Sequence, residues 1–118
     1  MILCVDDEEN PLILRKLVLQ KSGFEVLTAA SGKEALELLR THKVDLVLSD
    51  QLMPGTTGTQ LAEKVKAAHP RLPVVIVSGV NEIPEDAGNA DLFISKLEGP
   101  VLLSQRISEV LVRFQQAG

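Results

Sequence analysis

Residues 74–78 read Val-Val-Ile-Val-Ser, four β-branched apolar residues in succession closed by a hydroxyl. Such a run leaves no face for water. It predicts a strand buried on both sides, as in a parallel sheet covered by helices. The same arrangement recurs in both directions along the chain. Ile2–Val5 ends on Asp6 and Asp7, Leu46–Ser49 ends on Asp50, and Leu92–Ser95 ends on Lys96. Open α/β sheets bind ligands outside the carboxyl ends of their strands, so parallel strands would gather these residues at one place. Three carboxylates, a hydroxyl and an ammonium there suit Mg²⁺-assisted phosphoryl transfer to a carboxylate.

Between the apolar runs the spacing turns helical. Ala35, Leu36 and Leu39 share a face, as do Leu61, Ala62 and Val65. At the end of the chain Leu103, Ile107, Val110, Leu111 and Phe114 fall at i, i+4, i+7, i+8 and i+11, which predicts a long terminal helix. Ser31-Gly-Lys-Glu34 and Thr57-Gly-Thr-Gln60 fit the capping box, in which a hydroxyl and a side chain three residues later satisfy orphan backbone donors. Helices are therefore expected after Ser31 and Thr57. Gly23 fits the position just past a helix end, and Pro70 a helix that has just ended. Strands alternating with helices make an α/β fold. With 118 residues and 45% hydrophobic composition, residues 1–118 are expected to form a single domain around one core.

Composition excludes several classes. No apolar run approaches the ~20 residues needed to cross a bilayer, and no basic segment precedes a signal-like stretch. A soluble, cytoplasmic protein with no membrane partner is expected. Net charge is −4 without a basic cluster, which argues against direct nucleic-acid binding. The single cysteine, Cys4, lies in the first apolar run and reads as a packed thiol. Glu8 and Glu9 read as a solvated acidic helix start, and His42 and His69 as exposed residues near helix ends.

Taken in order, Cys4-Val5-Asp6-Asp7-Glu8, Ser49-Asp50-Gln51-Leu52-Met53-Pro54 with Gly58, Val77-Ser78-Gly79, and Phe93-Ile94-Ser95-Lys96 resemble the receiver domain of two-component response regulators. Each motif alone is weak. Together, at separations of 43 (Asp7 to Asp50), 28 (Asp50 to Ser78) and 18 (Ser78 to Lys96), they are specific, and they cover essentially the whole chain. The resemblance implies a doubly wound, flavodoxin-like sheet of five parallel strands in order 2-1-3-4-5, with Asp7 beside Asp50 at the switch point.

It also implies roles. Asp50 would be the phosphoacceptor, taking the phosphoryl group from a phosphohistidine on a sensor histidine kinase or histidine phosphotransfer protein. Asp6, Asp7 and Asp50, with the backbone carbonyl of Leu52, would hold Mg²⁺ or Mn²⁺, hard cations suited to oxygen donors. Lys96 would meet the transferring phosphoryl oxygens and Ser78 would hydrogen-bond one of them. Ser78 and Phe93 would form the switch, hydroxyl and ring moving together to change a partner surface. Leu52 and Val80 would flank the path of the water that hydrolyses the aspartyl phosphate. Enzymatic activity would be limited to the domain's own phosphorylation and dephosphorylation. Output would pass to a downstream protein or a fused effector domain; none follows Phe114 in this sequence.

Two departures from the family pattern stand out. Leu97 follows Lys96 where the family has a proline in a cis bond, and a non-proline cis bond costs roughly 2.5–4 kcal/mol, which leaves that peptide's geometry open. Asn81–Asp91, carrying Pro84, Gly88 and Asn89, reads as one turn or a loop, so a short or irregular fourth helix is expected. Two other functions compete. A degenerate receiver could serve as an unphosphorylated docking module, although it would have no need of Asp6, Asp7, Asp50, Ser78 and Lys96 together. A haloacid-dehalogenase-like phosphatase would place its nucleophile on the first strand with a second Asp two positions later, whereas Asp6 and Asp7 are adjacent.

Overall fold

Each buried β-branched run becomes a strand of one parallel sheet. The computed structural model describes residues 1–79 and 90–117. In chain order the elements are β1 (Ile2–Val5), α1 (Glu9–Lys21), β2 (Val26–Ala29), α2 (Gly32–Thr41), β3 (Leu46–Asp50), α3 (Gly58–Ala68), β4 (Val74–Ser78), β5 (Leu92–Ser95) and α4 (Pro100–Ala117). The sheet order is β2-β1-β3-β4-β5 with every neighbouring pair parallel, the doubly wound topology expected. The expectation for Asn81–Asp91 falls almost entirely on residues 80–89, outside the described residues.

Side-chain alternation splits the core in two. Ile2, Cys4, Leu46, Leu48, Val75, Val77 and Ile94 face one way and are covered by Leu12 and Leu19 of α1 and Leu103, Ile107 and Val110 of α4. Leu3, Val5, Val47, Val74 and Ile76 face the other way, against Ala35 and Leu39 of α2 and Leu61, Ala62 and Val65 of α3. Truncating any of the large residues among these to alanine would cost about 2–5 kcal/mol. Cys4 is 1% exposed, and burial pushes its thiol up to about 12, so it is a packed thiol at neutral pH.

The local signals act largely as expected. Thr57 and Gln60 form the full capping box of α3, with Gln60 N donating to Thr57 Oγ1 and Thr57 N to Gln60 Oε1. Ser31 caps α2 by accepting from Glu34 N, but the Glu34 carboxylate reaches one residue further back, to Ala30 N at 3.0 Å. Gly23, with φ +97°, takes the left-handed position that ends α1. β2 was not individually legible. It is an edge strand with three of four residues only half-buried, and no chemically distinctive residue closes it.

Candidate functional site

The β1–β3 pairing sets Val5 opposite Ser49, so the next residues, Asp6 and Asp50, stand side by side at the carboxyl ends of these strands. Asp6 is 2% and Asp50 5% exposed, while Asp7 reaches solvent. Each of the three can offer one carboxylate oxygen such that the oxygens lie within 4.8 Å of one another. Among the described residues this is the one acidic cluster able to hold a metal ion, and Glu8, Glu9 and both histidines lie outside it. Both oxygens of Asp6 are engaged. Oδ1 accepts from Glu8 N at 2.9 Å and Oδ2 from Arg15 Nη1 at 2.8 Å.

Lys96 closes the other side. Its Nζ lies 2.9 Å from Asp50 Oδ1, and its backbone N donates to Ser78 O at 2.8 Å, which ties the end of β5 to the end of β4. The Lys96–Leu97 peptide is trans, as are all peptides described. With no proline at 97, the Leu97 N–H is available and donates to Ser95 Oγ at 3.1 Å. Ser78 is 1% exposed, and its Oγ has no hydrogen-bond partner among the described residues. A buried hydroxyl left so costs about 1–3 kcal/mol. Phe93 pairs with Ile76 and packs, half-buried, on the face of the sheet that Ser78 continues.

Burial raises the pKa of Asp50, Asp6 adds to the rise, and the Lys96 ammonium and the more distant Arg15 pull it back. A carboxyl with a raised folded-state pKa is stabilising when protonated. That contribution is complete below the unfolded pKa of about 4 and is lost as pH rises through the folded pKa. In chelator, Asp50→Asn should therefore unfold at higher denaturant concentration than the parent at neutral pH, with the gap closing as pH falls toward 4. Equal midpoints at both pH values would show that Asp50 carries no such penalty.

Between β3 and α3 the chain folds tightly over this cluster. Gln51, 4% exposed, accepts from Thr59 N at 3.0 Å and donates to Thr59 Oγ1 at 3.2 Å, while Gly58 N donates to Gln51 O at 2.9 Å. Met53 packs into the core, Gly55 takes φ +81°, and the Leu52 side chain is 55% exposed beside the site.

Of the site residues expected from sequence, Asp6, Asp7, Asp50, Ser78 and Lys96 lie at the carboxyl ends of the strands, Leu52 follows β3, Phe93 lies within β5, and Val80 lies outside the described residues. Arg15 and Gln51 were missed. The signal for Arg15 was present: Leu12 and Leu19 mark the buried stripe of α1, and position 15 falls on it, three residues after one and four before the other. A cation in an apolar stripe needs a buried partner.

The family model described as "Response regulator receiver domain" matches residues 2–108. The transcriptional regulatory protein GlrR of Escherichia coli (strain K12) is 40% identical over 84 residues, 71% of this chain and 19% of the relative. The alkaline phosphatase synthesis transcriptional regulatory protein PhoP of Bacillus subtilis (strain 168) is 30% identical over 121 residues, 98% of this chain and 50% of the relative. The chain thus spans between about a fifth and a half of the length of these relatives. A crystal structure of a response regulator receiver domain protein from Clostridium thermocellum superposes with a TM-score of 0.91 at 28% identity, covering 99% of this chain and 98% of that one. With the motifs in order, the sheet topology in agreement and a family match over nearly its whole length, the chain belongs to the response regulator receiver domain family.

Proposed function

We propose that residues 1–118 act as one phosphoacceptor domain in a two-component or phosphorelay pathway. Asp50 accepts a phosphoryl group from a phosphohistidine on a kinase or phosphotransfer protein. The observation that carries this is the ion pair of Asp50 with Lys96 beside two further carboxylates. A nucleophilic carboxylate must be approached by a second anion, and here fixed cationic charge already sits against it. Three carboxylates within reach of one point form a hard, all-oxygen donor set that fits Mg²⁺ or Mn²⁺. Asp6, Asp7 and Asp50 would hold the ion, with the Leu52 carbonyl assigned by family pattern. When bound, it neutralises charge between acceptor and phosphoryl group.

The chain's own part follows. An Asp50 oxygen forms the new bond to phosphorus as the bond from phosphorus to the donor histidine nitrogen breaks, the pair of electrons leaving with that nitrogen. Lys96 stays with the anionic oxygens as they move onto Asp50. Ser78 Oγ, which has no hydrogen-bond partner among the described residues, donates to one of them, and Phe93 follows into the space that the hydroxyl leaves. The changed surface is read by a downstream protein or an attached effector domain. A docking module without phosphorylation has less support, since it gives no reason for a buried, cation-paired Asp50 within a cluster of three carboxylates.

Intact-protein mass spectrometry after incubation with a small acyl-phosphate donor should show one added phosphoryl group with Mg²⁺, none with chelator and none in Asp50→Asn. An unmodified parent under all conditions, with the cognate kinase included, would overturn the proposal. The lifetime of the adduct follows from Leu52, whose exposed apolar side chain cannot orient a water by hydrogen bonding. Leu52→Asn should lose phosphate several-fold faster at fixed Mg²⁺. A variant that loses it no faster would remove position 52 from the water's path.

A further inference from the structure

We infer that Arg15 tunes the cation affinity of the acidic cluster, acting as a built-in counter-cation on Asp6 with which a divalent ion must share that carboxylate. The inference rests on the proposal that Asp6, Asp7 and Asp50 form a metal site. Arg15 is a positioning residue in this scheme.

The geometry carries it. α1 delivers Arg15 along the same stripe that buries Leu12 and Leu19, so its guanidinium is held by helix packing, with only 14% of the side chain exposed. Nη1 donates to Asp6 Oδ2 at 2.8 Å, while Asp6 Oδ1 already accepts from Glu8 N at 2.9 Å. The 2%-exposed Asp6 therefore offers a divalent ion no oxygen that is not already accepting. Carboxylate oxygens have lone pairs to spare, so sharing is possible. Sharing would put guanidinium and divalent charge on one buried carboxylate, where water screens poorly. On the far side Lys96 does the same to Asp50, and both cations line one cleft of about 270 Å³ between α1 and the ends of β4 and β5.

Two effects of opposite sign follow from removing Arg15. The divalent ion loses a competitor, so it binds more tightly. The carboxylates lose a counter-charge, so the metal-free fold becomes less stable. A purely structural role would weaken both together.

The test uses the whole chain and Mn²⁺ as probe, with free Mn²⁺ followed by electron paramagnetic resonance and Mg²⁺ measured by competition. Arg15→Met, which keeps the length of the side chain, and Arg15→Gln should lower the Mn²⁺ Kd about tenfold, while lowering the urea midpoint in chelator. Arg15→Lys should stay within about threefold of the parent. Asp6→Asn should bind at least tenfold more weakly. A Kd unchanged or raised in both Arg15→Met and Arg15→Gln overturns the inference while leaving the metal site standing. Parental Mn²⁺ uptake in both Asp6→Asn and Asp50→Asn, or none in the parent, overturns the metal site and the inference with it.

Discussion

Replacing Lys96 with alanine should slow phosphoryl uptake from a small acyl-phosphate donor about 100-fold, while the unfolding free energy changes by no more than about 1 kcal/mol. The kinetic figure is the usual cost of deleting one preorganised positive partner at a developing anionic centre. The small stability figure follows from position. Lys96 Nζ sits 2.9 Å from Asp50, but 36% of its side chain is exposed, so solvent screens the pair in the ground state. Removing it also removes one of the two cations that limit the rise in the Asp50 pKa, leaving the acceptor more readily protonated. The rate in Lys96→Ala should therefore fall more steeply than that of the parent as pH is lowered. Parental rates at saturating Mg²⁺ would mean that the ammonium takes no part in transfer.

Gly58→Ala should be a damaging small substitution near the site, lowering the unfolding free energy by about 1–3 kcal/mol. A Cβ at this position would lie 2.6 Å from the Asp50 carbonyl oxygen, 3.0 Å from Gln51 Oε1 and 3.1 Å from Gln51 Cα. Two of those atoms are backbone and cannot swing away. Relief requires the first turn of α3 to withdraw, which breaks the Gln51–Thr59 hydrogen bonds, each worth about 1 kcal/mol. The gain in helix propensity from alanine, at most about 1 kcal/mol, does not offset this. Because the chain has neither tryptophan nor tyrosine, urea unfolding followed by far-ultraviolet circular dichroism is the suitable measurement. A loss under 0.5 kcal/mol, on the order of an ordinary surface substitution, would mean that the loop yields without cost. Losing the Gln51–Thr59 bonds frees Gln51, the residue after Asp50, from its anchor on α3, so phosphorylation should weaken as well.

The site was more legible in the sequence than its supports were. Asp6, Asp7, Asp50, Ser78 and Lys96 lie at the ends of short, mainly apolar runs, and parallel pairing brings the ends of such runs together whatever the details of packing. β2 escaped individual notice because an edge strand needs only one buried face, and its half-buried residues blur the pattern. Gln51 was hidden for a different reason: its value lies in hydrogen bonds to Thr59, eight residues on, and no periodicity marks a loop that folds back on a helix start. Arg15 was visible only as an exception, a charge on the stripe between Leu12 and Leu19 that helical geometry turns toward the sheet. Its partner could be named only once β1 was known to end beneath that face. The trans peptide after Lys96 is the default for a non-proline residue, while the Leu97 N–H to Ser95 Oγ bond is a local contact that no sequence pattern marks.

The central claim is that Asp50 itself carries the phosphoryl group, and reductive trapping tests it most directly. Borohydride converts an aspartyl phosphate to homoserine, which survives digestion and is located by tandem mass spectrometry. After incubation with donor and Mg²⁺, homoserine is expected at position 50 and at neither Asp6 nor Asp7, with no trapped product in Asp50→Asn. Homoserine at Asp6 or Asp7, or a phosphoryl group that persists in Asp50→Asn, would contradict it.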